Sequence, residues 1–152
     1  MSPEMSLEEM AAKLIARHIL VNDLVTGAKY ESRWTNRGDT VRGRFTLVTP
    51  DTFWTGAYIP LLVTQEAERR EQNLAPATAY ELAAFACEGW DGQSLVVAGG
   101  STYHGSGGFG NESEQQAGLY SFRSLGRTRW SLALLPLTYS HTEHNILCVV
   151  LV

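Results

Sequence analysis

The chain is 152 residues long, 44% hydrophobic and 18% charged, with a formal net charge of −4. This length suits a single domain spanning 1–152, able to bury roughly 70% of its unfolded surface without a disulfide or structural metal. The acidic balance argues against nucleic acid as a partner, no apolar run is long enough for a membrane span, and the sparse charge favours a homo-oligomer, a dimer first.

The N-terminal stretch "MSPEMSLEEMAAKL" is acidic and amphipathic, unlike the basic and then apolar start of a secretory leader. The two cysteines, Cys87 and Cys148, sit in apolar surroundings and form no CxxC, which gives the expectation of a reduced, cytoplasmic protein. A helix is expected over 6–21. Ser6 and Glu9 make a capping box, Met5 and Met10 a hydrophobic staple, and Leu7, Met10, Ala11, Leu14, Ile15 and His18 recur at helical spacing. "KYESRW" (29–34) is a weak strand. "VRGRFTLVT" (41–49) alternates, with Val41, Phe45 and Leu47 on one side and Arg42, Arg44 and Thr46 on the other. A turn at "TPDT" then returns "FWTGAYI" (53–59) as its hairpin partner, which Pro60 stops. "TQEAERREQN" (64–73) is polar all round and reads as a short exposed helix at most.

A second firm helix is expected over 78–88, where Thr78 and Glu81 form another capping box, Leu82, Phe85 and Ala86 an apolar face, and Gly89 the stop. Asp91-Gly92 turns the chain into the short strand "QSLVVAG". The glycine-rich segment 99–116 reads as a long loop. Strands at 118–124 and 127–135 follow, joined by a tight turn at Leu125-Gly126. From Ile146 to the end the chain is apolar on both faces, the pattern of a strand central in the sheet or sealed by a second subunit. The expected fold class is α+β: a curved, mostly antiparallel sheet, with room for mixed pairing, packed by two main helices.

"GSGGFG" spells Gly105-x-Gly107-x-x-Gly110. In a dinucleotide site such glycines join a strand to a helix, and an acid about 20 residues later takes the ribose hydroxyls. Here only a two-turn helix over 112–117 could follow, and no Asp or Glu occurs between Glu114 and Glu143, so no cofactor is expected. Lys13 and Lys29 are the only lysines and neither lies near the glycines, which excludes Walker-type and kinase-type phosphate sites. "HGSGG" resembles an esterase oxyanion stretch only superficially, because the strand–turn–helix serine elbow is missing.

Three further patterns bear on function. His141 and His144, with Cys148 four residues on, would converge on a metal only if the chain turned there, and no metal is expected. Arg42 with Arg44, and Arg127 with Arg129, each share one face of a strand; if those strands were neighbours, an anion or carboxylates would have to separate them. Lys29, Tyr30, Arg33, Trp34 and Arg37 form a basic-aromatic patch that Glu31 and Asp39 dilute.

No catalytic residue can be nominated. The ligand-binding candidates are Tyr103, His104 and Ser106 on the glycine-rich segment, Trp54 and Tyr58 on one face of an aromatic stretch, and Arg44 and Arg129. The expected function is binding of a small molecule, anionic if the arginines take part, in a cleft near 99–116. The alternatives are a homo-oligomeric interaction module without catalysis and a small hydrolase or isomerase using His104 or the His141/His144 pair.

Overall fold

Leu125 and Gly126 both take positive φ, 51° and 76°, the backbone signature of a two-residue turn whose twist matches that of paired strands. This turn joins two long strands, Glu112–Ser124 (β7) and Arg127–Pro136 (β8), in continuous register from Ser124↔Arg127 to Gln115↔Pro136. A third long strand, Val96–Ser106 (β6), runs antiparallel to β7. The computed structural model describes residues 5–26, 34–35, 38–106, 112–142 and 144–151.

The remaining elements are the helix Leu7–Ala16 (α1), the strand Ile19–Val21 (β1), the single helical turn Asp23–Thr26 (α2), and the short strands Trp34–Thr35 (β2), Arg44–Val48 (β3) and Trp54–Thr55 (β4). A 3₁₀ turn at Gly56–Tyr58 leads into the helix Ile59–Arg70 (α3). Then come Leu74–Pro76 (β5), the helix Ala79–Glu88 (α4), Ser140–His141 (β9) and Asn145–Val150 (β10). The main sheet has eight strands and mixed pairing, in the order β1-β8-β7-β6-β10-β3, with β2 beside β6 and β5 beside β10. Among the described residues only β1–β8 and β6–β10 are parallel. No helix among the described residues is long and apolar enough to cross a membrane.

The terminal strand occupies the interior expected of it. Ile146, Leu147, Cys148 and Val149 are fully buried, between β3 on one side and β6 and β5 on the other. Both faces are covered by the chain itself. On one, α1 and α4 pack over Val96, Ala98, Ala117, Leu119, Leu132, Leu134 and Leu147. On the other, Ile59 and Val63 of α3 pack with Val97, Leu135, Ile146 and Cys148.

Several sequence expectations are corrected. The first helix stops at Ala16, because the N–H groups of Arg17 and His18 bond back only three residues, to Leu14 and Ile15, and His18 turns left-handed at φ 65°. Its buried stripe is Leu7, Met10 and Leu14, whereas Ile15 and His18 face water. Residues 53–59 do not return along 41–49: β3 pairs with β10, and β4 pairs with β9. A third long helix occupies 59–70. Pro60 sits in its first turn, where no backbone donor is needed, and Ile59, Val63 and Ala67 form a narrow stripe that a window opening at Thr64 misses. Among its described residues the segment 99–116 is strand, not loop, so the short helix that the sequence allowed over 112–117 is not formed. Gly100 is there because a Cβ would overlap the carbonyls of Pro76 and Ala77, and its own N–H bonds to Ala77. Finally, β10, β6 and β7 separate β3 from β8, so the two arginine pairs do not meet. Of the residues 29–34 only Trp34 lies among those described, as the first residue of β2.

Arg42 has a different role. Its backbone N–H donates to Glu81 Oε2 at 2.9 Å, and its guanidinium donates to Glu81 Oε1 at 2.8 Å and to the Pro76 carbonyl at 2.9 Å. Glu81 is fully buried and also closes the α4 capping box by accepting from Thr78 N–H. Burial pushes its carboxyl up, but the bonds from Arg42 and Thr78 outweigh this and hold it below its ordinary value. The stabilisation is therefore complete above the usual carboxyl pKa of 4.5 and is lost as pH falls below it. Arg42→Ala leaves a buried carboxylate short of its main partner. We expect a loss of roughly 2–3 kcal/mol in urea denaturation at pH 7, below the range for fully buried pairs because Arg42 is partly solvated. A loss under about 0.5 kcal/mol, the level of an ordinary surface change, would contradict this role.

Candidate functional site

The candidate residues separate into four places. Tyr103 is buried at the far end of β6, opposite Gln115 and edge-on to Trp34 at 5.4 Å. His104 lies on the solvent side, its Nε2 2.8 Å from Thr35 Oγ1 and its Nδ1 3.7 Å from Glu114 Oε1. The order hydroxyl, imidazole, carboxylate is that of an acyl-transfer relay. However, the second distance exceeds a hydrogen bond, and His104 and Glu114 are each about half exposed. This trio is a solvated cross-strand cluster. Ser106 ends β6, with its backbone paired to Glu112. Gly105 lies within the same strand, while Gly107 and Gly110 fall outside the described residues; the chain resumes as a strand, so the strand-to-helix turn of a dinucleotide site is not formed. Arg44 opens edge strand β3, and Arg129 lines a cavity beside β1.

Trp54 and Tyr58 do come together, at the start of α3. The reason lies in topology. Strands β8 and β10 both run parallel to β6, with β7 and β6 between them, so the connection 137–144 must cross a face of the sheet. It crosses on the α3 side and carries β9, which pairs with β4 so that His141 lies opposite Trp54. Their rings lie 4.3 Å apart and tilted by 31°. The chain bends after His141, bringing the His144 ring to 4.4 Å from it, and Tyr139 packs against both. The turn that convergence of the two histidines requires is thus present. Cys148 belongs elsewhere: it lies in β10 opposite Thr46 and Pro76, and burial pushes its thiol up to about 12.

Below this connection sit two residues that sequence patterning did not single out. Gln116 projects from β7 toward Gly56, where a Cβ would overlap its amide; the glycine is what admits the side chain. In sequence, "EQQ" reads as a solvent face, and only burial by the crossing connection makes Gln116 an interior residue. Around it, buried polar atoms lack hydrogen-bond partners among the described residues: Trp54 Nε1, Gln116 Nε2 and both ring nitrogens of His141. Gln115, on the opposite face, is in the same condition. Buried polar atoms in native proteins are nearly always satisfied, and a group of exceptions in one place marks where a water, ion or ligand belongs.

His141 is fully buried. Desolvation, reinforced by His144, lowers its pKa from 6.5 to about 4, so the ring is neutral at pH 7 and offers one donor and one acceptor. Among the described residues no three His, Cys, Asp or Glu side chains converge as a metal site would require. Beside Trp54 opens a cavity of about 500 Å³, lined by Phe53, Trp54, Thr55, Tyr58, Leu61 and Leu62.

Protonation of His141 provides a test of its burial. The unfolded chain takes up the proton near 6.5 and the folded one only near 4. Stability is therefore full above 6.5 and declines as pH falls toward 4, by about 2 kcal/mol between pH 7 and 5. His141→Phe should remove this part of the acid slope; equal slopes in the two proteins would show that the ring is wet. No family model, no curated protein and no solved structure matches this chain, so the chemistry of the site is read from its own geometry.

Proposed function

We propose that this protein binds a small, uncharged and largely flat molecule in the cavity at the start of α3. The observation that carries this reading is an aromatic-walled hollow whose Trp54 wall stacks on His141, both with buried polar atoms that lack partners among the described residues. Ligand sites are typically a few hundred Å³ in volume, mostly apolar, with a few convergent polar groups and a shifted pKa among them. Phe53, Tyr58 and Leu61 are each more than half exposed, an unusual grouping of apolar side chains in water. Trp54, which walls the cavity and stacks on the buried, neutral His141 ring at 4.3 Å, offers its ring to a flat ligand. The glycine-rich segment remains part of the picture through its ends, since Gly99 packs on Ile59 and Gln116 on Gly56.

The same exposed trio favours a second reading, in which another copy of the chain covers it. Light scattering separates the two: a dimer that Leu61→Glu dissociates supports the interaction module, whereas a monomer in both forms removes it.

A thermal-shift screen of neutral aromatic fragments tests the first reading. A fragment present at 100 times its dissociation constant adds about 2.7 kcal/mol of stability. Tyr58→Asp, which puts a charge on the cavity wall, should weaken any such fragment about tenfold or more without unfolding the protein, because Tyr58 is largely exposed. If no fragment shifts the wild-type transition, or if Tyr58→Asp leaves the hits unchanged, the cavity is not the binding site.

A further inference from the structure

A second hollow lies at the other edge of the sheet. The end of α1, strand β1 and the first residues of β8 line a cavity of about 410 Å³, which brings together Arg17, His18, Ile19, Arg127, Arg129 and Trp130. No acidic side chain lines it. Arg17 is held in place by donating to the carbonyls of Ala86 and Cys87, at 3.1 and 3.4 Å. The side chains of Arg127 and Arg129 make no hydrogen bond or ion pair among the described residues. The nearby Arg123, in contrast, is tied to its own hairpin, donating to Thr128 Oγ1 and the Gly126 carbonyl.

We infer that this cavity binds a phosphorylated small molecule. Three arginines border one hollow with no carboxylate among its lining residues, and like charges gathered there favour an anion between them. One carboxylate would compensate a single charge, whereas a phosphate ester carries about two and presents three acceptor oxygens that match the arginine fork. The hollow exceeds the size of a bare phosphate, and Ile19 and Trp130 form an apolar wall beside the charges, so the ligand has a planar or apolar body attached. The tertiary fold assembles the site: Arg17 and Arg129 are far apart in sequence, and they meet because Ile19 pairs with Trp130 in the parallel β1–β8 ladder.

The test titrates adenosine monophosphate, pyrophosphate and inorganic phosphate into the wild-type protein in low-salt buffer, followed by heat and by tryptophan fluorescence. Adenosine monophosphate should bind saturably at one site, more tightly than inorganic phosphate. Arg127→Gln and Arg129→Gln should each weaken it about tenfold, and both should fold, because these side chains are exposed. Trp130→Phe should keep the heat signal and lose the fluorescence response. Arg44→Gln, on a distant strand, should change nothing, and Tyr58→Asp should leave this site intact whatever becomes of the α3 cavity. The inference is overturned if no probe binds saturably, or if Arg44→Gln weakens binding as much as Arg129→Gln. It is equally overturned if the protein binds only anionic vesicles or only single-stranded oligonucleotides and none of the soluble phosphates.

Discussion

Strand β10 is the constraint on which the rest of the molecule turns. Four consecutive side chains, Ile146 to Val149, are buried on alternating faces, and a strand of that kind is satisfied only where both faces are roofed and both edges are paired. Placing it between β3 and β6 makes it parallel to β6 and hence to β8. A parallel arrangement cannot be closed by a hairpin, so residues 137–144 must cross the sheet. That crossing buries His141, roofs Gln116 and sets Trp54 in its pocket. The candidate site is thus a consequence of where the final strand lies.

The treatment of polar groups elsewhere gives the site its meaning. The buried N-terminus of α4 is fully provided for: Thr78 Oγ1 accepts from Glu81 N–H, Glu81 Oε1 accepts from Thr78 N–H, Ser101 Oγ accepts from Ala79 N–H, and Arg42 neutralises the carboxylate. Even the bend at Gly100 donates its N–H to Ala77. The same chain satisfies such demanding groups in one layer, yet among the described residues leaves polar atoms of Trp54, Gln116 and His141 without hydrogen-bond partners in another. Unsatisfied groups of this kind cost about 1–3 kcal/mol each, enough to matter against a stability of about 5–15 kcal/mol.

The two cavities differ in chemistry because they are built from different kinds of edge. One opens beside Trp54 at the start of α3 and is bordered mostly by aromatic and aliphatic side chains. The other lies where a hairpin projects past its neighbours, so that arginines which would otherwise be spread over a surface come to border one hollow.

Local signals were strong enough to read from the chain alone. The Ser6 N-cap, the Thr78 capping box, the Leu125-Gly126 turn and the doubly apolar tail each depend on residues within one or two turns of one another, and each stands where its pattern indicated, although at Ser6 only half of the expected box forms, Glu9 accepting from the Ser6 hydroxyl instead of its backbone N–H. Trp54 and Tyr58 line one cavity, but across a 3₁₀ turn and not on the face of one strand as their spacing indicated. Glycine misled at 99–100: in sequence it signals a loop, yet here it lets another backbone approach a strand, a requirement set by residues 76 and 77. The apolar stripe of α3 was divided by a boundary drawn at the wrong place, and the polar look of Gln116 hid its burial. Composition and local spacing by themselves determined which segments are helix caps, turns and core. Only tertiary structure decided which of them meet, because strand order, the crossing of 137–144 and the meeting of Arg17 with Arg129 arise from long-range pairing that no short window of sequence contains.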